Sequence, residues 1–228
     1  MSFCKTLLAI LTVGLCSSLL SADTILDDFS VGSFISPPFN FAGGGFDEDH
    51  VWAGYRQFIY PSRPDDPAIL EVDSSGTGSL DFDSPESVEA LVLSYYASGT
   101  GNRNDPPTVP SLDFSVPDAA VQIYFGHYLE PAGTAALNLF VADSSGKSGG
   151  SSIFNVTQST EPFVASLHID SQQTGLDRSD IAEVGISLIG IGNSVSLSID
   201  KIVFVPEPSA AVFSCLLLPV LAFRRQRK

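Results

Sequence analysis

The chain has 228 residues, with 11 Lys and Arg against 26 Asp and Glu, a formal charge of −15 at neutral pH. Such acidity repels phosphate backbones and anionic lipid, which excludes nucleic acid as a partner. Cys4, Cys16 and Cys215 are the three cysteines and lie in apolar terminal segments. Residues 23–205 therefore have no disulfide, thiolate metal site or cysteine nucleophile.

The chain opens with Lys5, an apolar run over residues 6–20, and Leu20-Ser21-Ala22 ahead of Asp23. These are the parts of a secretory signal peptide, so residues 1–22 are expected to pass the Sec translocon and be removed. Residues 23–205 then carry six bases against 25 acids, a formal charge of −19. A body of this length can bury one sizeable core.

From residue 24 onward, short alternating runs are broken by Gly, Pro, Ser and Asp, which predicts an all-β domain. Twelve of the fifteen prolines fall in the body and leave few windows for a helix. Strands are expected over residues 24–29, 54–60, 69–73, 79–82, 88–97, 121–129, 136–142, 153–156, 163–169, 184–191 and 195–205. Within 54–60, Tyr55, Gln57 and Ile59 alternate with Arg56, Phe58 and Tyr60. Within 121–129, Val121, Ile123, Phe125, His127 and Leu129 share one face, and Gln122, Tyr124 and Tyr128 the other. Residues 99–110 read as a loop and 177–181 as a short helical turn. Eleven strands in one domain imply two packed sheets, a β-sandwich.

The chain ends with Val205, Pro206, Glu207, Pro208 and Ser209, an apolar run over 210–223, and the bases Arg224, Arg225, Arg227 and Lys228. As a helix that run spans only about 21 Å, short for a plain membrane anchor. The basic end fixes it on the cytoplasmic side, with the body outside. These three parts in this order resemble the PEP-CTERM sorting signal of exported bacterial proteins. The resemblance implies that residues 206–228 hold the chain in the membrane until an exosortase removes them near the Pro-Glu-Pro cluster. It also implies delivery to the cell surface or the exopolysaccharide matrix.

The body in turn resembles a sandwich domain often joined to such tails. The likeness rests on Ile25-Leu26-Asp27-Asp28-Phe29, on Gly54-Tyr55-Arg56, and on Ile199-Asp200-Lys201-Ile202. It extends to jelly-roll carbohydrate-binding modules in general, and implies a jelly-roll-like sandwich.

Catalytic templates are missing. There is no Gly-x-Ser-x-Gly elbow, and the three histidines are far apart in sequence. Glu71-Val72-Asp73 begins like the Glu-x-Asp-x-Glu strand of sandwich glycosidases, but Ser75 stands where the second carboxylate belongs. No catalytic residue is assigned.

Two binding readings remain. Trp52 beside Asp47 and Asp49 would suit a glycan, since aromatic faces stack on sugar rings and carboxylates accept hydroxyl hydrogens. Tyr124 and Tyr128 form a second candidate platform, while the plainer alternative has Trp52 plugging one end of the sandwich. Asp27 and Asp28 from the first strand and Asp200 from the last would frame a structural Ca²⁺, against the alternative of ordinary edge aspartates. The expected function is that of an exported, exosortase-sorted, non-enzymatic protein with a structural or adhesive sandwich. A carbohydrate-binding module for a matrix exopolysaccharide is the alternative, and a secreted glycan hydrolase or lyase stands third.

Overall fold

The computed structural model describes residues 23–35, 41–44, 46–59, 69–74, 78–84, 88–116, 118–130, 135–150, 153–170, 173–192 and 194–206. The expected signal peptide lies outside the described residues, as do Glu207, Pro208, Ser209, Arg224, Arg225, Arg227 and Lys228 of the expected sorting tail.

Among the described residues the chain forms fourteen strands and a single 3-10 turn, Trp52–Gly54. The strands are β1 (Thr24–Asp27), β2 (Phe34–Ile35), β3 (Phe41–Gly44), β4 (Tyr55–Ile59), β5 (Ile69–Asp73), β6 (Ser79–Ser84) and β7 (Val88–Tyr96). They continue as β8 (Ala120–Leu129), β9 (Ala136–Asp143), β10 (Ser148–Gly150), β11 (Phe154–Asn155), β12 (Phe163–His168), β13 (Ile181–Ile191) and β14 (Val195–Val205). Two antiparallel seven-stranded sheets result, which is the expected two-sheet sandwich.

One sheet runs β12-β8-β14-β6-β5-β2, and β1 also pairs with β14. Strand β14 is shared: β6 takes Val195 to Ile199, and β1 takes Ile202 to Phe204. The other sheet runs β10-β9-β13-β7-β4-β3, with β11 beside β9. The core between them is built by alternation. Leu91, Leu93 and Tyr95 of β7 and Val184, Ile186 and Leu188 of β13 face Leu80 and Phe82 of β6 and Leu197, Ile199 and Ile202 of β14 in one buried cluster.

The alternation of β8 differs from the expectation. Pairing with β14 steps from His127 opposite Ser198 to Phe125 opposite Ile199, leaving Gly126 as an extra residue. This bulge inverts every later side chain. His127 and Leu129 turn outward and Tyr128 turns into the core, a correction to the face assigned from period-two counting. Gly126 itself was the local signal, since glycine inside a strand often marks a bulge. Residues 177–181 form no helix, only a turn closed by Asp180 N–H on the Asp177 carbonyl at 3.2 Å.

Candidate functional site

Trp52 is buried in the core, 4% exposed, and offers no face to a ligand. The backbone turns it inward: Ala53 and Gly54 both have positive φ, 55° and 68°. Gly54 also needs to be glycine, because a Cβ there would lie 2.8 Å from the Phe46 carbonyl oxygen. Asp47 and Asp49 remain exposed, with Asp47 capping its own turn through the Asp49 N–H at 3.0 Å. The expected Trp52 platform is therefore not formed: the ring packs into the hydrophobic core.

Tyr128 is equally enclosed. It donates to Glu130 Oε2 at 2.6 Å, and the other oxygen of Glu130 accepts the Gly192 N–H, so the pair braces the β13–β14 connection. Tyr124 does lie on the outer face of β8, but the Lys201 ammonium sits 4.4 Å from its ring centroid and covers one side. Its hydroxyl is turned to Gln122 Oε1 at 3.0 Å.

The three aspartates expected to hold Ca²⁺ have three different surroundings. Asp27 is fully buried; its Oδ1 accepts from Arg56 Nη2 and the Phe29 N–H, both at 2.9 Å, and its Oδ2 from the Tyr95 hydroxyl at 3.2 Å. Burial pushes the Asp27 carboxyl up to about 7, against the opposing pull of Arg56. Arg56 is also fully buried, with its guanidinium 4.7 Å from the Phe46 ring centroid and 5.5 Å from that of Phe29. Asp28 bonds His50 Nδ1 at 2.7 Å and Ser30 Oγ at 2.6 Å. Burial alone would raise its carboxyl, and these bonds outweigh it and hold the group below its ordinary value. Asp200 is the extra residue of a second bulge and points outward. Its carboxyl is raised by partial burial and then by Asp81, with His127 and Lys201 opposing. The Ca²⁺ cage is thus corrected: among the described residues no three His, Cys, Asp or Glu side chains could hold a metal. The charge beside Asp27 is the guanidinium of Arg56.

A different surface gathers polar and aromatic groups. On the outer face of β4-β7-β13-β9, the registers align Gln57, Ser94, Gly185 and Phe140 in one row. The next row holds Tyr55, Tyr96 and Glu183, with Arg56 opposite Tyr95 and Tyr96 opposite Glu183 fixing the alignment. The Tyr55 and Tyr96 rings meet edge to face, 6.2 Å between centroids, and the Tyr96 hydroxyl donates to Gln57 Oε1 at 3.3 Å. Strand geometry places Tyr96 and Phe140 about 12 Å apart, with the small residues Ser94 and Gly185 between them. Phe140 is 39% exposed, and Ile189 of β13, on the same outer side as Glu183 and Gly185, is 37% exposed.

Residues 97–110 wall one end of this face. Gly101, at φ 74°, packs against the Tyr55 ring so closely that any Cβ would collide with it. From the same loop Arg103 Nε reaches to 3.6 Å from Glu183 Oε2. Behind Arg103 lies a cavity of about 180 Å³ bordered also by Ser98, Asn104, Asp105 and Ser144. Its rim is stapled: Asp180 accepts Ser111 Oγ at 2.6 Å and also Ser144 Oγ, and Asp143 accepts the Asp177 N–H at 2.9 Å. Burial raises the Glu183 carboxyl, with Arg103 and Tyr96 opposing, and burial followed by the charge of Glu183 raises the Tyr96 hydroxyl.

The sequence pattern had placed Tyr55 and Gln57 together, but not on the outside. Arg56 is the most polar residue of its strand, and period-two reasoning sends such a residue to solvent. Here it is held inside by Asp27.

No family model matches the chain, and no curated protein matches it. Among solved structures it is similar to the family 11 carbohydrate-binding module of a cellulosomal cellulase of Clostridium thermocellum, at 9% identity and a TM-score of 0.43 over 82% of this chain and 95% of that one. The family 30 carbohydrate-binding module of another cellulosomal cellulase of Clostridium thermocellum gives 14% identity and a TM-score of 0.46, over 82% and 99%. An agarase gives 9% identity and a TM-score of 0.42 over 73% of this chain, which spans 25% of the agarase.

Proposed function

We propose that this protein is a non-catalytic glycan-binding sandwich, exported and sorted through its C-terminal tail to the cell surface or the exopolysaccharide matrix. One observation carries the binding reading: the outer face of β4-β7-β13-β9 sets Tyr55, Tyr96 and Phe140 around small residues, with Gln57 and Glu183 beside Tyr96. Aromatic rings offer flat apolar surface to the C–H faces of sugars, while amide and carboxylate oxygens take their hydroxyl hydrogens. That division of labour is what a sugar ring requires. The roughly 12 Å between Tyr96 and Phe140 suits an oligosaccharide lying across strands rather than a single sugar. Adhesion follows from such contacts repeated along a polymer. The sorting half of the reading is supported by the order of the tail's parts, from the Pro-Glu-Pro cluster through the short apolar run to four terminal bases.

Affinity electrophoresis of the full chain in mild detergent, through gels containing dextran, galactomannan, hydroxyethylcellulose or agarose, tests the binding. At least one gel is expected to retard the parent and not Tyr96→Ala. Equal mobility of the parent in every gel would overturn the reading.

A further inference from the structure

We propose that Glu183 and Arg103 together form a selectivity site at the walled end of this face, taking a hydroxyl of a neutral sugar between them and rejecting uronic acids. The inference rests on the glycan-binding reading and adds the chemical class of the ligand.

Glu183 lies on the outer side of β13, yet only 7% of its side chain is exposed, because the loop carrying Arg103 lies over it. Its Oε2 finds no hydrogen-bond partner among the described residues. A buried carboxylate oxygen without a donor is costly, so such an atom in a native protein calls for an explanation. Arg103 does not supply the missing bond. Its Nε stands at 3.6 Å, near enough for attraction and too far for a hydrogen bond. Tyr96 turns its hydroxyl to Gln57 Oε1, and the pull that it exerts on the Glu183 carboxyl leaves Oε2 still without a hydrogen bond.

The gap has a definite chemistry. A carboxylate only accepts and a guanidinium only donates. A sugar hydroxyl does both, so it can donate to Glu183 Oε2 and accept from Arg103 at once. A uronate carboxylate has no hydrogen to give and brings a like charge toward Glu183. Arg103 cannot compensate, since its charge is already balanced by Glu183. The surplus of acids on the body repels polyanions further. The neighbouring cavity of about 180 Å³ has Arg103 in its wall and mixes polar groups, Ser98, Asn104, Asp105 and Ser144, with the apolar Pro106, Pro107 and Ala182, as the hydroxyl edge and C–H face of a sugar would require. Arg103 is half exposed and sits on a loop, so it can shift by the small distance that an inserted hydroxyl requires.

The test is affinity electrophoresis of the full chain against dextran, galactomannan and hydroxyethylcellulose as neutral probes, and polygalacturonate and alginate as uronans. The parent is expected to bind at least one neutral polymer and neither uronan. Glu183→Gln should bind that neutral polymer about tenfold more weakly, the loss of one charge-assisted hydrogen bond. It should also gain measurable affinity for a uronan. Arg103→Ala, which changes an exposed side chain, should lose several-fold on the neutral polymer and decides the matter should Glu183→Gln melt well below the parent. Parent-like neutral binding by both variants, or uronans bound as tightly as neutral polymers, overturns the selectivity site. If Tyr96→Ala still abolishes binding in that case, the glycan face stands and only its selectivity is lost. A parent that binds no polymer removes both.

Discussion

Asp27 and Glu183 are both acids removed from water, and the molecule treats them in opposite ways. Around Asp27 three donors converge, one of them the guanidinium of a fully buried arginine clamped by two phenylalanine rings. Around Glu183 one oxygen stays unpartnered beneath a half-exposed arginine. The first arrangement is fully buried, and nothing from outside can reach it. The second leaves an unused acceptor directly beneath a side chain that is half exposed. Burial alone therefore does not mark a functional acid, and neither does unused bonding capacity by itself. Nε and Nη1 of Arg56 also lack hydrogen-bond partners among the described residues, yet they are sealed in the core. The combination with a neighbouring exposed side chain does mark it.

The sharpest way to break this contrast is to remove one member of each pair. Measured at pH 8, above the folded-state value of Asp27, Arg56→Met leaves that carboxyl without its cation and should cost about 3–5 kcal/mol in urea unfolding. Asp27→Leu combined with Arg56→Met should recover most of that, because apolar groups of similar volume replace a buried pair at little cost. Glu183→Gln should stay within about 1 kcal/mol of the parent, since it removes a charge that the fold does not fully satisfy. Equal losses at the two sites would erase the distinction.

Acidity sharpens it next. With its folded-state value raised to about 7, Asp27 holds its proton in the folded state through a range where the unfolded chain has released it. The folded state then binds the more protons, so this group's contribution is fully present below about pH 4 and is lost as pH rises to about 7. The expected loss is on the order of a few kcal/mol between pH 4.5 and 7.5. Asp27→Asn should lack that slope. A parent and variant with parallel pH profiles would contradict the assignment.

Much of this architecture was legible in the sequence, and the failures have physical reasons. Alternation located the main strands, because each buries one face and its period is two. It could not see β2, β3 and β10, each four residues or fewer, nor the bulge at Gly126 that sent Tyr128 inward. The fragments Ile25-Leu26-Asp27-Asp28-Phe29 and Gly54-Tyr55-Arg56 stood out as motifs, but nothing in either shows that Asp27 reaches Arg56. That pairing is a tertiary fact, and so is the register that brings Tyr96 beside Glu183. Trp52 drew attention as the lone tryptophan, yet a large ring is as useful for filling a core as for stacking on sugar.

The smallest expected effect concerns calcium. Because Arg56 already balances Asp27, and Asp28 and Asp200 point elsewhere, adding Ca²⁺ should move the melting midpoint by no more than about 1 °C beyond NaCl of equal ionic strength. A shift of several degrees, lost in Asp200→Asn, would restore the cation site.

The central claim is that the face carrying Tyr96 binds glycan and the opposite face, carrying Tyr124, does not. Its most direct test is the dissociation constant of the full chain for whichever neutral polymer retards the parent, measured by titration calorimetry for Tyr96→Ala and Tyr124→Ala side by side. Loss of an aromatic anchor should weaken Tyr96→Ala by about 2 kcal/mol, some thirtyfold, while Tyr124→Ala keeps the parent's affinity. Parent-like binding by Tyr96→Ala together with weakened binding by Tyr124→Ala would place the site on the other sheet and contradict the account.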